Sequence, residues 1–175
     1  MNIKALRLPL TKEELQSLNA GEIVSLSGAC YTARDAAHKR ICDALKNGGP
    51  LPFDLDGACI YYCGPAPARD GEIIGSCGPT TSARMDDYAP TLLECGVAVM
   101  IGKGRRSDAV TKATADAGAV YLAAVGGAGA LIKNRVKACA LHAYPDLGCE
   151  AVYKLDLQNL ELLVASDTKG VCALR

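Results

Sequence analysis

Gly78-Pro79-Thr80-Thr81-Ser82-Ala83-Arg84-Met85-Asp86 lies between a short apolar run, Ile73-Ile74, and a segment of helical spacing through Leu92 and Leu93 to Gly96. Gly-Pro sets a rigid turn, and the Thr-Thr-Ser run offers side-chain oxygens where a helix must cap its free N–H groups. Asp86-Asp87 follow one turn in, where negative charge complements the helix dipole. The stretch is a loop-to-helix junction. Arg84 sets it apart, because an arginine in the first turn sits at the positive end of the helix. That is unfavourable unless a bound anion or an acidic neighbour offsets it. Two readings follow: a helix cap whose arginine pairs with Asp86 or Asp87, or an anion site with one or two hydroxyls facing the ligand.

Outward from this junction the chain alternates strands and helices. Upstream, Ile3 to Leu8 reads as a short strand, and Thr11 with Glu14 has capping-box spacing before a short helix that Gly21 ends. Glu22 to Ser27 reads as a strand broken by Gly28. Thr32-Ala33-Arg34-Asp35 then opens a helix to about Lys46, stopped by Gly48-Gly49-Pro50. Gly57 to Tyr62 is a buried-strand candidate. Downstream, a short helix near 82–88 and a second near 90–95, with Pro90 in its first turn, precede the continuous apolar strand Val97 to Ile101.

Ser107 or Asp108 caps a helix through about Ala117, and Ala119 to Val125 is a strand. Gly126-Gly127-Ala128-Gly129 opens a helix toward Lys137. It lacks the third glycine of a dinucleotide fingerprint, so tight backbone packing is the better account of these glycines. The segments 151–157 and 160–165 flank Gln158-Asn159 as an expected hairpin. The pattern is α/β: one domain over residues 1–175 with several strand-to-helix crossovers, some of them parallel.

Composition narrows the function. The 175 residues carry 19 basic and 19 acidic side chains and no net charge, which argues against nucleic acid or an anionic membrane as the main partner. No window approaches the roughly 18 consecutive apolar residues of a membrane span, and no apolar signal-peptide core opens the chain. A soluble, cytoplasmic protein is expected. The nine cysteines are odd in number and scattered, and none forms a C-x-x-C pair. Cys59-x-x-x-Cys63 falls in a strand-like run, so reduced, buried thiols are expected and no metal or cofactor site built wholly within this chain.

Arg34, Arg84 and Lys103 share one kind of position, each at a glycine-bearing turn after a strand or apolar run and near a helix start. In open α/β sheets that edge is where ligands bind. Two guanidinium forks and an ammonium converging there suit a small dicarboxylate.

Three segments carry a resemblance: Gly28-Ala29-Cys30-Tyr31-Thr32-Ala33-Arg34-Asp35-Ala36-Ala37-His38-Lys39-Arg40, Gly78 to Asp86, and Met100-Ile101-Gly102-Lys103-Gly104. With Gly126-Gly127 and the tail, the chain resembles over essentially its whole length the C-terminal region of class I, iron–sulfur-dependent fumarases. It resembles equally the β subunit of L(+)-tartrate dehydratase. The resemblance implies a swivelling β/β/α domain with a mixed sheet. It also implies a 4Fe–4S cluster on a separate α partner, in a heterotetramer, with no cluster ligand on this chain. The activity implied is a hydro-lyase, the reversible hydration of fumarate to L-malate, with tartrate dehydration as the alternative.

By that resemblance Thr80 is the catalytic base, while Arg34, Arg84 and Lys103 contact substrate carboxylates and Thr81 is a further substrate contact and the alternative base. A threonine hydroxyl is a weak base that needs nearby cations or a helix terminus to activate it. Two other readings stay open: a non-catalytic dicarboxylate-binding module, and an enzyme with Cys77 as nucleophile. His38 and His142 are left outside the site.

Overall fold

The computed structural model describes residues 3–174. Seven strands form one sheet: β1 Lys4–Arg7, β2 Ile23–Thr32, β3 Cys59–Tyr61, β4 Val99–Gly102, β5 Val120–Ala123, β6 Val136–Ala143 and β7 Val152–Ser166. Five helices accompany them: α1 Lys12–Gln16, α2 Asp35–Asn47, α3 Ala89–Glu94, α4 Asp108–Asp116 and α5 Gly129–Ile132. β1 to β5 run parallel in sequence order, and β7 pairs antiparallel with both β5 and β2. That last pairing closes β2, β3, β4, β5 and β7 into a five-strand barrel, with β1 and β6 as extensions. The chain is mixed α/β.

The central strands are buried on both faces, so their sequences are continuous apolar runs and their alternation sorts side chains between two cores. Cys59, Tyr61 and Cys63, with Val99, Ile101, Val120 and Leu122, join one core with residues of β2 and β7. The intervening Ile60, Tyr62, Met100 and Tyr121 pack instead with Ala37, Ile41, Leu92, Leu93 and Val110 of the helices. The first core therefore fills the barrel and the second lies between the barrel and α2, α3 and α4. Local signals set the helix ends as expected. Thr11 and Glu14 form a reciprocal capping box, Ser107 caps α4, and Gly48 ends α2 in the left-handed conformation at φ 63°.

Three expectations are corrected. Gly28 does not break its strand: β2 runs through it at a bulge, φ 109°, where an added Cβ would stand 2.9 Å from the Leu8 carbonyl oxygen. Residues 152–166 are one strand rather than a hairpin. Asn159, at φ 52°, forms the matching irregularity opposite Ser27, and its N–H donates to Ser27 Oγ at 2.9 Å. The helix expected from Gly126 toward Lys137 is short. It spans Gly129–Ile132, a 3-10 turn follows at Lys133–Arg135, and Val136 begins β6 against β7.

Candidate functional site

The parallel strands deliver their carboxyl ends to one edge. Beyond β3 and β4 the strands diverge, and the 80–82 segment inserts between them. Thr80 N–H donates to the Tyr62 carbonyl at 2.6 Å, Thr81 bridges Lys103, and Ser82 N–H donates to the Lys103 carbonyl at 2.9 Å. Residues Ser82–Met85 then form a 3-10 turn with Met85 buried and Arg84 exposed. Thr81 occupies the N-cap position but makes no side-chain capping bond. Among the described residues neither Thr80 nor Thr81 spends its hydroxyl on a protein hydrogen bond.

The arginine partner also differs from the local expectation. Arg84 Nε donates to Asp35 Oδ1 at 2.9 Å, while Asp86, one of the two expected partners beside Asp87, is taken by Arg106. Asp35 is the first residue of α2 and adjoins Arg34, whose Nε lies 3.9 Å from Asp35 Oδ2. Arg34 Nη2 lies 3.5 Å from Glu150 Oε1, and Glu150 Oε2 accepts from Ala36 N–H at 2.9 Å. The Arg34 side chain passes over Gly64, where a Cβ would come within 2.9 Å of its Cδ. Lys103 is flanked by Gly126, whose Cβ would meet the lysine Cδ at 3.5 Å. Gly129 of the same loop packs on the central stretch, a Cβ there reaching 2.7 Å from Gly78 N. Backbone meets backbone in this loop at Gly129, whereas Gly126 faces the lysine side chain. The five residues singled out from sequence, Arg34, Thr80, Thr81, Arg84 and Lys103, thus share the edge formed by β2, β3 and β4.

A buried network that sequence reasoning missed supports this edge. Arg106 is only 3% exposed. Its Nε donates to Asp86 Oδ1 at 2.7 Å, its Nη1 donates to Tyr62 Oη at 3.2 Å, and the guanidinium lies over the Tyr62 and Tyr121 rings, 5.1 and 5.2 Å from their centroids. Tyr121 Oη donates to the Gly104 carbonyl at 2.8 Å and lies 2.9 Å from Ser82 Oγ. Burial pushes the Tyr121 phenol up to about 12, so it stays protonated as a donor. Beneath Arg34, His38 Nδ1 donates to the Arg34 carbonyl at 2.9 Å, and burial pushes its imidazole down to about 4. Burial likewise pushes the Cys77 thiol up to about 12, far from the thiolate a nucleophile needs.

A cleft of about 430 Å³ adjoins Lys103, bordered also by Arg105, Ala123, Val125 and Gly126. A larger one, about 660 Å³, lies at the amino ends of the strands beside Asp56, Gly57 and Gly118 and contains none of the five residues. Among the described residues no three His, Cys, Asp or Glu side chains are grouped to hold a metal ion. No helix among them is long and apolar enough to cross a membrane.

The strand ends of this closed α/β barrel carry two arginines, a lysine and two threonine hydroxyls, donor types that suit an anion. The chain belongs to the fumarase C-terminus family, whose model matches residues 1–173. It is 41% identical over 167 residues to a protein of Methanocaldococcus jannaschii named "Putative L(+)-tartrate dehydratase subunit beta", covering 92% of this chain and 86% of that one. It is 37% identical over 169 residues to fumarate hydratase 2 of Leishmania major, covering 94% of this chain and 30% of the relative. With the aerobic class I fumarate hydratase of Escherichia coli K12 the identity is 38% over 149 residues, 84% of this chain and 27% of the relative. The chain therefore spans less than a third of the fumarate hydratases and most of the Methanocaldococcus protein. The relatives are named for hydro-lyases, and one is named as a subunit.

Proposed function

We propose that this chain is the β subunit of a two-subunit hydro-lyase that reversibly hydrates fumarate to L-malate. The observation that carries the proposal is the gathering of Arg34, Arg84, Lys103, Thr80 and Thr81 at one strand edge, with both threonine hydroxyls uncommitted among the described residues. Arg34 and Arg84 grip the two carboxylates of the substrate through their planar forks, and Lys103 adds a point charge. Thr80, held by its backbone bond to Tyr62, acts as the alkoxide, which takes the proton from the carbon next to a carboxylate in the dehydration direction and so returns to the neutral hydroxyl. The three cations lower the cost of charge on its oxygen, and Thr81 orients the substrate.

A 4Fe–4S cluster, which supplies Lewis-acid chemistry in this reading, belongs on an α partner within a cytoplasmic heterotetramer. The domain swivels as a β/β/α unit against that partner to close the site. Tartrate dehydration to oxaloacetate is the second reading, favoured by the similar length of the Methanocaldococcus chain and its printed name. Tartrate and fumarate are both four-carbon dicarboxylates, so the same cations serve either.

The test is anaerobic isolation of the tagged chain from its native cells, assayed for fumarate hydration and tartrate dehydration. A larger, iron-containing partner that arrives with activity is the expected result, and the better substrate names the enzyme. A chain that arrives alone, colourless and inactive would instead support a non-catalytic dicarboxylate-binding module.

A further inference from the structure

We propose that Asp35 is a positioning residue that brackets Arg34 and Arg84, setting the separation of the two carboxylates a ligand can present. The inference rests on the dicarboxylate reading of the site.

Arg34 follows β2, and Arg84 lies on the 3-10 turn after Thr81. No backbone pairing joins those two turns directly. Besides the core shared by Met85, Ala33 and Ala37, one carboxylate spans them: Asp35 Oδ1 accepts from Arg84 Nε at 2.9 Å, and Asp35 Oδ2 faces Arg34 Nε at 3.9 Å. Asp35 is itself immobilised, because it begins α2 and the next backbone N–H, that of Ala36, is held by Glu150 at 2.9 Å.

Both arginines thus turn their Nε edges toward Asp35. Among the described residues Arg84 has no protein partner for either Nη, and Arg34 has none for Nη1. Both Nη of Arg84 and Nη1 of Arg34 are left for a ligand, while Arg34 Nη2 faces Glu150 Oε1 at 3.5 Å. Arg34 Nε and Asp35 Oδ2 are both shut off from solvent and neither completes a hydrogen bond. A buried donor and a buried acceptor facing each other unsatisfied favour a small approach of Arg34 toward Asp35. Such a movement brings both guanidinia onto one carboxylate, so their spacing follows from two bond distances to a rigid residue rather than from two loops. A spacing fixed in this way discriminates between diacids that differ by a methylene.

The test is competitive inhibition of the anaerobically purified active complex by succinate and by glutarate. Wild type should favour succinate by about tenfold, the scale of one methylene in a fitted site. Asp35→Ala should weaken succinate more than glutarate and bring that ratio to within about twofold of unity. Asp35→Asn, which keeps the shape and the Oδ1 acceptor but loses the charge, should move it in the same direction. A residue that serves only to stabilise the fold would weaken both acids alike and leave the ratio unchanged. A wild-type ratio in both variants overturns the bracket while leaving the dicarboxylate site standing. An active wild-type complex that neither acid inhibits overturns both.

Discussion

Arg106 Nε and Asp86 Oδ1 form a 2.7 Å ion pair whose side chains are only 1% and 15% exposed, and it ties the turn after Thr80 to the turn after Lys103. Asp86 Oδ2 also accepts from Ser107 N–H at 2.8 Å, so one carboxylate holds both the buried cation and the start of α4. The geometry of the candidate base relative to Lys103 depends on this joint.

Removing one partner of such a pair leaves the other charge buried and uncompensated, which costs about 3–5 kcal/mol. Asp86→Ala should lose stability on that scale, read as a lower midpoint in urea with an unchanged slope. Arg105, exposed and paired with Asp108 at 2.9 Å, provides the control: Arg105→Ala should change stability by less than about 1 kcal/mol.

Gly102 has its own steric role. A Cβ there would overlap Ser82 Oγ and stand 2.9 Å from Tyr62 Cδ2. Gly102→Ala should therefore push Ser82 away from Tyr121 and destabilise by about 1–3 kcal/mol. Ser82→Ala removes the clashing oxygen along with its bond to Tyr121. The double variant Gly102→Ala/Ser82→Ala should cost less than the sum of the two single changes, as measured in a thermodynamic cycle.

His38 makes stability depend on pH. Its folded value is held near 4 by burial, against an ordinary value of 6.5, so the unfolded chain binds the extra proton between those two limits. Protonation there favours unfolding. The His38 contribution is present in full above pH 6.5 and is lost as pH falls toward 4, by about 3 kcal/mol in total. Urea midpoints from pH 7.5 to 4 should fall more steeply for wild type than for His38→Gln. Parallel profiles would show that His38 is not the group responsible.

The strand-end placement of the candidate residues was legible because they stand at turns marked by glycine, and an apolar run such as Val97 to Ile101 has few alternatives to a buried strand. The partners were not legible. Arg84 has acidic neighbours at Asp86 and Asp87, yet it pairs with Asp35, 49 positions away, because the 80–82 segment is inserted beside β3 and brings that turn to α2. Arg105 and Arg106 are indistinguishable in sequence, and only the packing of Tyr62 and Tyr121 makes one of them buried. β6 escaped because most of its side chains are exposed at the sheet's edge, so no alternation marks it. The expected hairpin failed because Gln158-Asn159 has the composition of a turn. Ser27 supplies bonds across the sheet that let β7 pass through that irregularity unbroken.

In the proposed site Arg84 grips a substrate carboxylate, and Arg84→Lys separates charge from fork, because lysine keeps the first and loses the second. The measurement is kcat/KM for fumarate and for tartrate in the anaerobic complex, beside the melting temperature of wild type and variant. Arg84 is about half exposed, at 51%, so folding should be unchanged while kcat/KM for the native substrate falls by about a hundredfold. A folded Arg84→Lys complex with wild-type kinetics would show that Arg84 does not grip the substrate.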